Sequence, residues 1–251
     1  MAPLLSLRNL SVEIDDKQIL NNLNIDINPN EIHVVMGPNG VGKSTLSKVI
    51  MGSDECKIVS GEIIYQGKNI NQMSVEERSR KGIFLAMQSP IEIEGVANSE
   101  FLKVALNSKS DKHIGLYDFI KKIEKAIDDL KMNENMIHRS INKGFSGGEK
   151  KKNEILQMKI LEPKMIILDE IDSGLDVDSL KIVGQNIKDY YKHNNQQASL
   201  LIITHYPRLL KYIKPDFVHI MLDGQIVKTG DYKLASVIEK KGYDFVKEEL
   251  K

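Results

Sequence analysis

Alternating apolar and polar residues open the chain, and fully apolar runs follow. Leu5/Leu7 and Val12/Ile14 alternate before Asp15-Asp16, and Leu23/Ile25/Ile27 alternate after it, which predicts short antiparallel strands around a turn. Ile32 to Met36, Ile83 to Met87, Met165 to Leu168 and Leu200 to Ile203 are mostly apolar, the pattern of strands buried on both faces. Further strands are expected at Gly61 to Tyr65, ending at Gln66-Gly67, and at Phe217 to Leu222, where Asp223-Gly224 turns the chain into Ile226/Lys228.

Helical spacing fills the intervals. Leu46, Val49 and Ile50 share a face, and Ser74 followed by Glu77 is a capped start. Ile155, Leu156 and Ile160 line a helix that opens at Ser146 and stops before Pro163; further helices are expected near Val177 to Tyr191 and at the end of the chain. From about Ile91 to Lys143 the pattern is almost purely helical, with Phe101, Leu102, Ala105 and Leu106 on one face and Ile120, Ile123, Ile127 and Leu130 on another. Lys109 to Lys112 is a polar connector there. The expected architecture is a single α/β domain: a core of residues 1–90 and 144–251 with an antiparallel N-terminal β region, and an inserted helical lobe, 91–143.

Composition removes several classes. With 251 residues, Lys+Arg 35 and Asp+Glu 35, the net charge is zero, which gives no global case for nucleic acid; Lys150-Lys151-Lys152 is a local basic run. No apolar run approaches the roughly 20 residues of a membrane helix, so a soluble chain is expected. The single Cys56 excludes an internal disulfide and makes a cluster held by this chain alone implausible. His33, His113, His138, His193 and His219 show no metal-ligand spacing. Met1-Ala2-Pro3 runs straight into the first alternating segment with no visible leader, and frequent Lys, Ile and Asn hint at an AT-rich genome.

The chemistry centres on Gly37-Pro38-Asn39-Gly40-Val41-Gly42-Lys43-Ser44-Thr45, between a buried strand and a helix. This fits G-x-x-x-x-G-K-[ST], in which backbone N–H groups turn inward around a polyphosphate. Lys43 reaches the outer phosphates and Ser44 offers a hydroxyl to Mg²⁺. A second apolar strand ends in Asp169-Glu170, placing one carboxylate to hold the metal and one to orient the attacking water. Taken alone, Ser146-Gly147-Gly148 is a helix cap and His205 a structural histidine at a strand end.

In order along the chain, the phosphate loop, Gln88, Phe145-Ser146-Gly147-Gly148-Glu149, Ile167-Leu168-Asp169-Glu170, Ser173-Gly174-Leu175-Asp176 and His205 resemble the ABC-type ATPases over nearly the whole length. The resemblance implies a P-loop NTPase fold, ATP and Mg²⁺ as ligands, and metal contacts from Ser44, Gln88 and Asp169. It implies Glu170, His205 and Lys43 as the catalytic set, with Ser146 to Gly148 closing on ATP bound to a second copy. Leu85 to Val96, Gly144 to Met158, Asp169 to Asp176, Thr204-His205-Tyr206 and Gly230-Asp231 are more narrowly similar to the SufC branch, the ATPase subunits of the SUF iron-sulfur assembly system. That branch implies SufB and SufD scaffold partners, no nucleic acid, no membrane insertion, and a plastid-type organelle or a bacterial cytoplasm. Two departures stand out: no stacking aromatic near Val12 to Ile14, and Lys152 where the family usually has Arg. The rival expectations are a membrane transporter's ATPase subunit, a nucleic-acid-linked ATPase, and a nucleotide-binding module without turnover.

Overall fold

The computed structural model describes residues 2–109, 113–193, 198–205 and 207–249; most of the expected connector Lys109 to Lys112, and Tyr206, lie outside them. In chain order the elements are β1 (Leu5–Ile14), β2 (Lys17–Ile27), β3 (Ile32–Met36), α1 (Lys43–Met51), β4 (Lys57–Tyr65), β5 (Lys68–Asn69), α2 (Val75–Arg80) and β6 (Ile83–Ala86). Then come β7 (Ile93–Ala97), α3 (Asn98–Asn107), α4 (Leu116–Leu130), β8 (Ser140–Ile141), α5 (Gly147–Leu161), β9 (Met165–Asp169) and α6 (Val177–His193). The chain finishes with β10 (Ser199–Ile203), β11 (Phe217–Leu222), β12 (Gln225–Gly230), α7 (Lys233–Lys241) and α8 (Asp244–Glu249).

The central sheet has the order β12-β11-β3-β10-β9-β6, parallel except for the hairpin edge strand β12. Its inner strands β3, β9 and β10 are buried at every residue, because both faces are covered. Residue parity decides the side. Val34, Ile166, Ile202 and Ile220 join the cluster around α5 and α6, whereas Val35, Ile167, Leu201 and Met221 join the cluster under α1 and the second sheet. That second sheet, β2-β1-β4-β5, is antiparallel; the β1–β2 hairpin turns on Asp15 and Asp16, whose φ values of 49° and 59° suit a short polar residue.

Arg78 ties α1 to α2. Its guanidinium, 2% exposed, donates to the carbonyls of Val49, Ile50, Ile70, Asn71 and Met73. A charge buried this deeply is tolerated because nearly every N–H has an acceptor.

Two details between 91 and 143 differ from the sequence expectation. Strands β7 and β8 pair there, too short and too exposed to register as strands in the hydropathy pattern. On α4, Phe119 lies in the core with Ile123, Ala126, Ile127 and Leu130, while Ile120 is 45% exposed. The larger ring, one residue earlier, takes the inward position. Leu102 and Ile123 share one continuous cluster with Ile155 and Leu156, so these helices pack on α5 rather than on a core of their own.

Candidate active site

Sheet topology gathers the site at the carboxyl ends of β3, β9, β10 and β6. Beyond β3 the loop 37–42 wraps into α1, whose N-cap Gly42 has φ 101° and no side-chain cap, and whose first turn carries no acidic residue. The first amides of α1 therefore have no side-chain cap acceptor, the local geometry of an anion site. Glycine is required at two places by crowding: a Cβ on Gly37 would lie 2.4 Å from the Met221 carbonyl oxygen, and one on Gly42 would lie 2.8 Å from Leu20 Cδ2. Asn39 and Gly40 are exposed at the loop tip, Pro38, Val41 and Thr45 half-buried. Lys43, 5% exposed, folds over the loop and donates to the carbonyls of Gly37 at 2.9 Å and Pro38 at 2.8 Å. Burial lowers its pKa, opposed by the charges of Glu170 and Asp169.

Asp169 stands opposite α1. Its Oδ2 accepts from Ser47 Oγ at 2.7 Å and its Oδ1 lies 3.4 Å from Ser44 Oγ. Burial raises the pKa of this carboxyl, so a cation beside it would restore the charged form. The Ser44 hydroxyl and the Asp169 carboxylate are oxygen donors of the kind Mg²⁺ takes when phosphates and water complete its shell. These residues fit that ion.

Glu170 follows with φ 48°, a left-handed conformation for a residue with a side chain. Its amide donates to the Ile203 carbonyl at 2.9 Å, anchoring it to the end of β10. Gln88 Nε2 donates to Glu170 Oε2 at 2.8 Å, and His205 Nδ1 lies 3.2 Å from Oε1. The structure thus brings together 37–45, Gln88, Asp169, Glu170 and His205.

Ser146 to Gly148 stand apart at the start of α5. Ser146 and Gly147 are exposed, a Cβ on Gly147 would meet nothing within 4 Å, and a capping box links Ser146 and Glu149 in both directions.

The ABC transporter family model matches residues 20–173. The chain belongs to that family. It is 51% identical to probable ATP-dependent transporter slr0075 of Synechocystis, over 98% of this chain and 97% of that one. It is 45% identical to probable ATP-dependent transporter SufC of Escherichia coli, over 98% and 100%. Its fold matches the dimeric post-hydrolysis ATP-binding cassette MJ0796 bound to ADP and Pi, with TM-score 0.78, 20% identity, and coverage of 91% and 98%. The chain is thus a SufC-like ABC ATPase.

Within this ATPase, several polar contacts escape notice in the sequence. Asp172, 2% exposed, accepts from Thr204 Oγ1 at 3.2 Å, joining the ends of β9 and β10. Ser47 lies one turn after Ser44 on α1, so helical spacing alone could have placed it against Asp169. His33 and His219, on adjacent strands, are 2.9 Å apart between Nδ1 and Nε2. No spacing rule reveals that pair.

Proposed function

We propose that this chain binds Mg-ATP in the 37–45 loop, pairs head to tail with a second copy, and hydrolyses ATP to change the shape of a SufB–SufD scaffold during iron-sulfur cluster assembly. The observation that carries the reading is the division of the site: Lys43, Gln88, Asp169, Glu170 and His205 converge, while the Ser146 helix start is exposed and makes no side-chain contact with them. An exposed helix start with open space at Gly147 suits the nucleotide of another subunit.

In this reading Lys43 leaves the Gly37 and Pro38 carbonyls for the outer phosphates, and Ser44, Asp169 and Gln88 hold the metal. When bound, the ion would neutralise charge on the transferring phosphoryl group. Glu170 orients and polarises the attacking water, held in place by Gln88 and by the hydrogen bond from its backbone N–H to β10. His205 leaves Glu170 and turns toward the γ-phosphate. The base finds an apolar contact beside β2, where the half-buried Ile19 stands against the loop, in place of a stacked aromatic.

The lobe 91–143 transmits the change. Ile91, Ile93 and Val96 are 61%, 41% and 36% exposed immediately after Gln88, an apolar edge for a scaffold to cover. Among the described residues no helix is long and apolar enough to cross a membrane, and a plastid stroma or a bacterial cytoplasm suits the reading. Co-purification tests it. A detergent-independent complex with SufB and SufD is expected; a complex held only with membrane proteins in detergent would replace the reading with a transporter subunit.

A further inference from the structure

The basic run Lys150-Lys151-Lys152 is divided by the structure. Lys150 reaches outward to Glu92 at 2.6 Å, but Lys151 is 4% exposed, and its Nζ donates to the carbonyls of Met87 at 2.7 Å and Gln88 at 2.8 Å. One turn further along α5, Glu154, 3% exposed, accepts the Met87 N–H on Oε1 at 2.7 Å. Both backbone groups of Met87 are therefore gripped by one helix, just where β6 ends and Gln88 begins.

The grip is electrostatically expensive. Glu154 Oε2 has no hydrogen-bond partner and lies 3.8 Å from Lys151 Nζ; burial pushes the carboxyl up to about 7 and lowers the lysine. Replacing a buried ion pair by apolar residues is often neutral in itself, so what this pair adds is its hold on the Met87 and Gln88 backbone. A second tie runs in parallel, from Asn153 Nδ2 to Asn142 Oδ1 at 2.9 Å and from Asn142 Nδ2 to the Ile91 carbonyl at 2.8 Å. Residues 87 to 91 are thereby joined to the first two turns of a helix whose N-cap is Ser146.

We propose that Lys151 and Glu154 are positioning residues that couple the two composite sites of a dimer, fixing Gln88 at a subunit's own nucleotide to the helix start offered to the partner's nucleotide. The inference rests on the composite-site reading above. Occupancy at Gln88 displaces residues 87–88, the clamp carries α5 with them, and Ser146 moves as part of the same rigid body. Coupling of this kind is reciprocal, so each nucleotide improves the seat of the other.

The test uses the full chain, with ATPase rate measured against ATP concentration and nucleotide affinity measured on the monomer. Lys151→Met should leave monomer affinity within about twofold, lower kcat about tenfold or more, and bring the Hill coefficient from above one down to about one. Lys151→Arg, which can still donate to both carbonyls, should restore most of each. Glu154→Gln keeps volume and an acceptor for Met87, and should show the same split in milder form; it decides the matter if Lys151→Met does not fold. Wild-type kcat and cooperativity in these variants overturn the proposal, as does a loss that Lys151→Arg fails to repair. If instead wild-type activity per molecule does not rise with protein concentration, the composite site itself is refuted.

Discussion

Gln88 Nε2 lies 2.8 Å from Glu170 Oε2, across 82 residues of sequence, and closes a bridge between the ends of β6 and β9. Replacing Glu170 by Gln keeps the shape of that bridge and removes the negative charge. Turnover should fall by about 100-fold or more, the range for losing a group that activates water, with equilibrium ATP binding within about threefold of wild type. Unchanged turnover would remove Glu170 as the catalytic carboxylate.

Ser146→Ala removes one half of the capping box at the start of α5. The cap should cost about 1 kcal/mol in a denaturation experiment. A residue that also touches the partner's nucleotide must cost more in kcat than that stability loss explains. Comparing chemical denaturation with steady-state rates on the same sample separates the two.

Arg78 serves the fold and lies outside the nucleotide site. Arg78→Ala leaves five carbonyls without their donor and should destabilise by more than about 3 kcal/mol, since each bond from a charged donor contributes roughly 1.5–3 kcal/mol. Lysine keeps the charge but not the planar fork and should recover only part of the loss. Thermal melts of both variants against wild type give the order.

The His33–His219 pair makes stability depend on pH. Glu31 Oε2 lies 3.0 Å from His33 Nε2 and Thr229 Oγ1 lies 2.8 Å from His219 Nδ1, so the neutral chain runs Thr229 to His219 to His33 to Glu31, each donating to the next. Burial lowers the pKa of His33, and it lowers that of His219 to about 4. The unfolded chain protonates these rings near 6.5 and the folded one does not, so their stabilisation is complete above 6.5 and is lost as pH falls toward 4. Glu154, raised to about 7, tilts the other way. The histidine contribution is therefore isolated by comparison: a His33→Leu, His219→Leu double variant should lose less stability between pH 7 and 5 than wild type, by about 2 kcal/mol from the His219 shift alone.

The elements legible in the sequence were those whose local chemistry and apolar pattern agree. Ile32 to Met36 followed by glycines and Lys43 could only be a buried strand entering a phosphate loop, and Ser74 with Glu77 announces its helix. Long-range polar contacts left no such trace. His33 meets His219 across 186 residues, and Lys151 looks like part of a solvated run until the carbonyls of Met87 and Gln88 are placed above it. Strand β7 was obscured because it lies at the surface, with Ile93 and Val96 exposed. Ser146 to Gly148 were read from family resemblance, because within one chain they cap a helix and little else.

The composite site is tested most directly by the mass of the Glu170→Gln variant in solution. With saturating Mg-ATP the variant should sediment at twice its 28.4 kDa monomer mass and return to the monomer when nucleotide is removed. A species that stays monomeric while fully loaded with Mg-ATP would contradict the head-to-tail site.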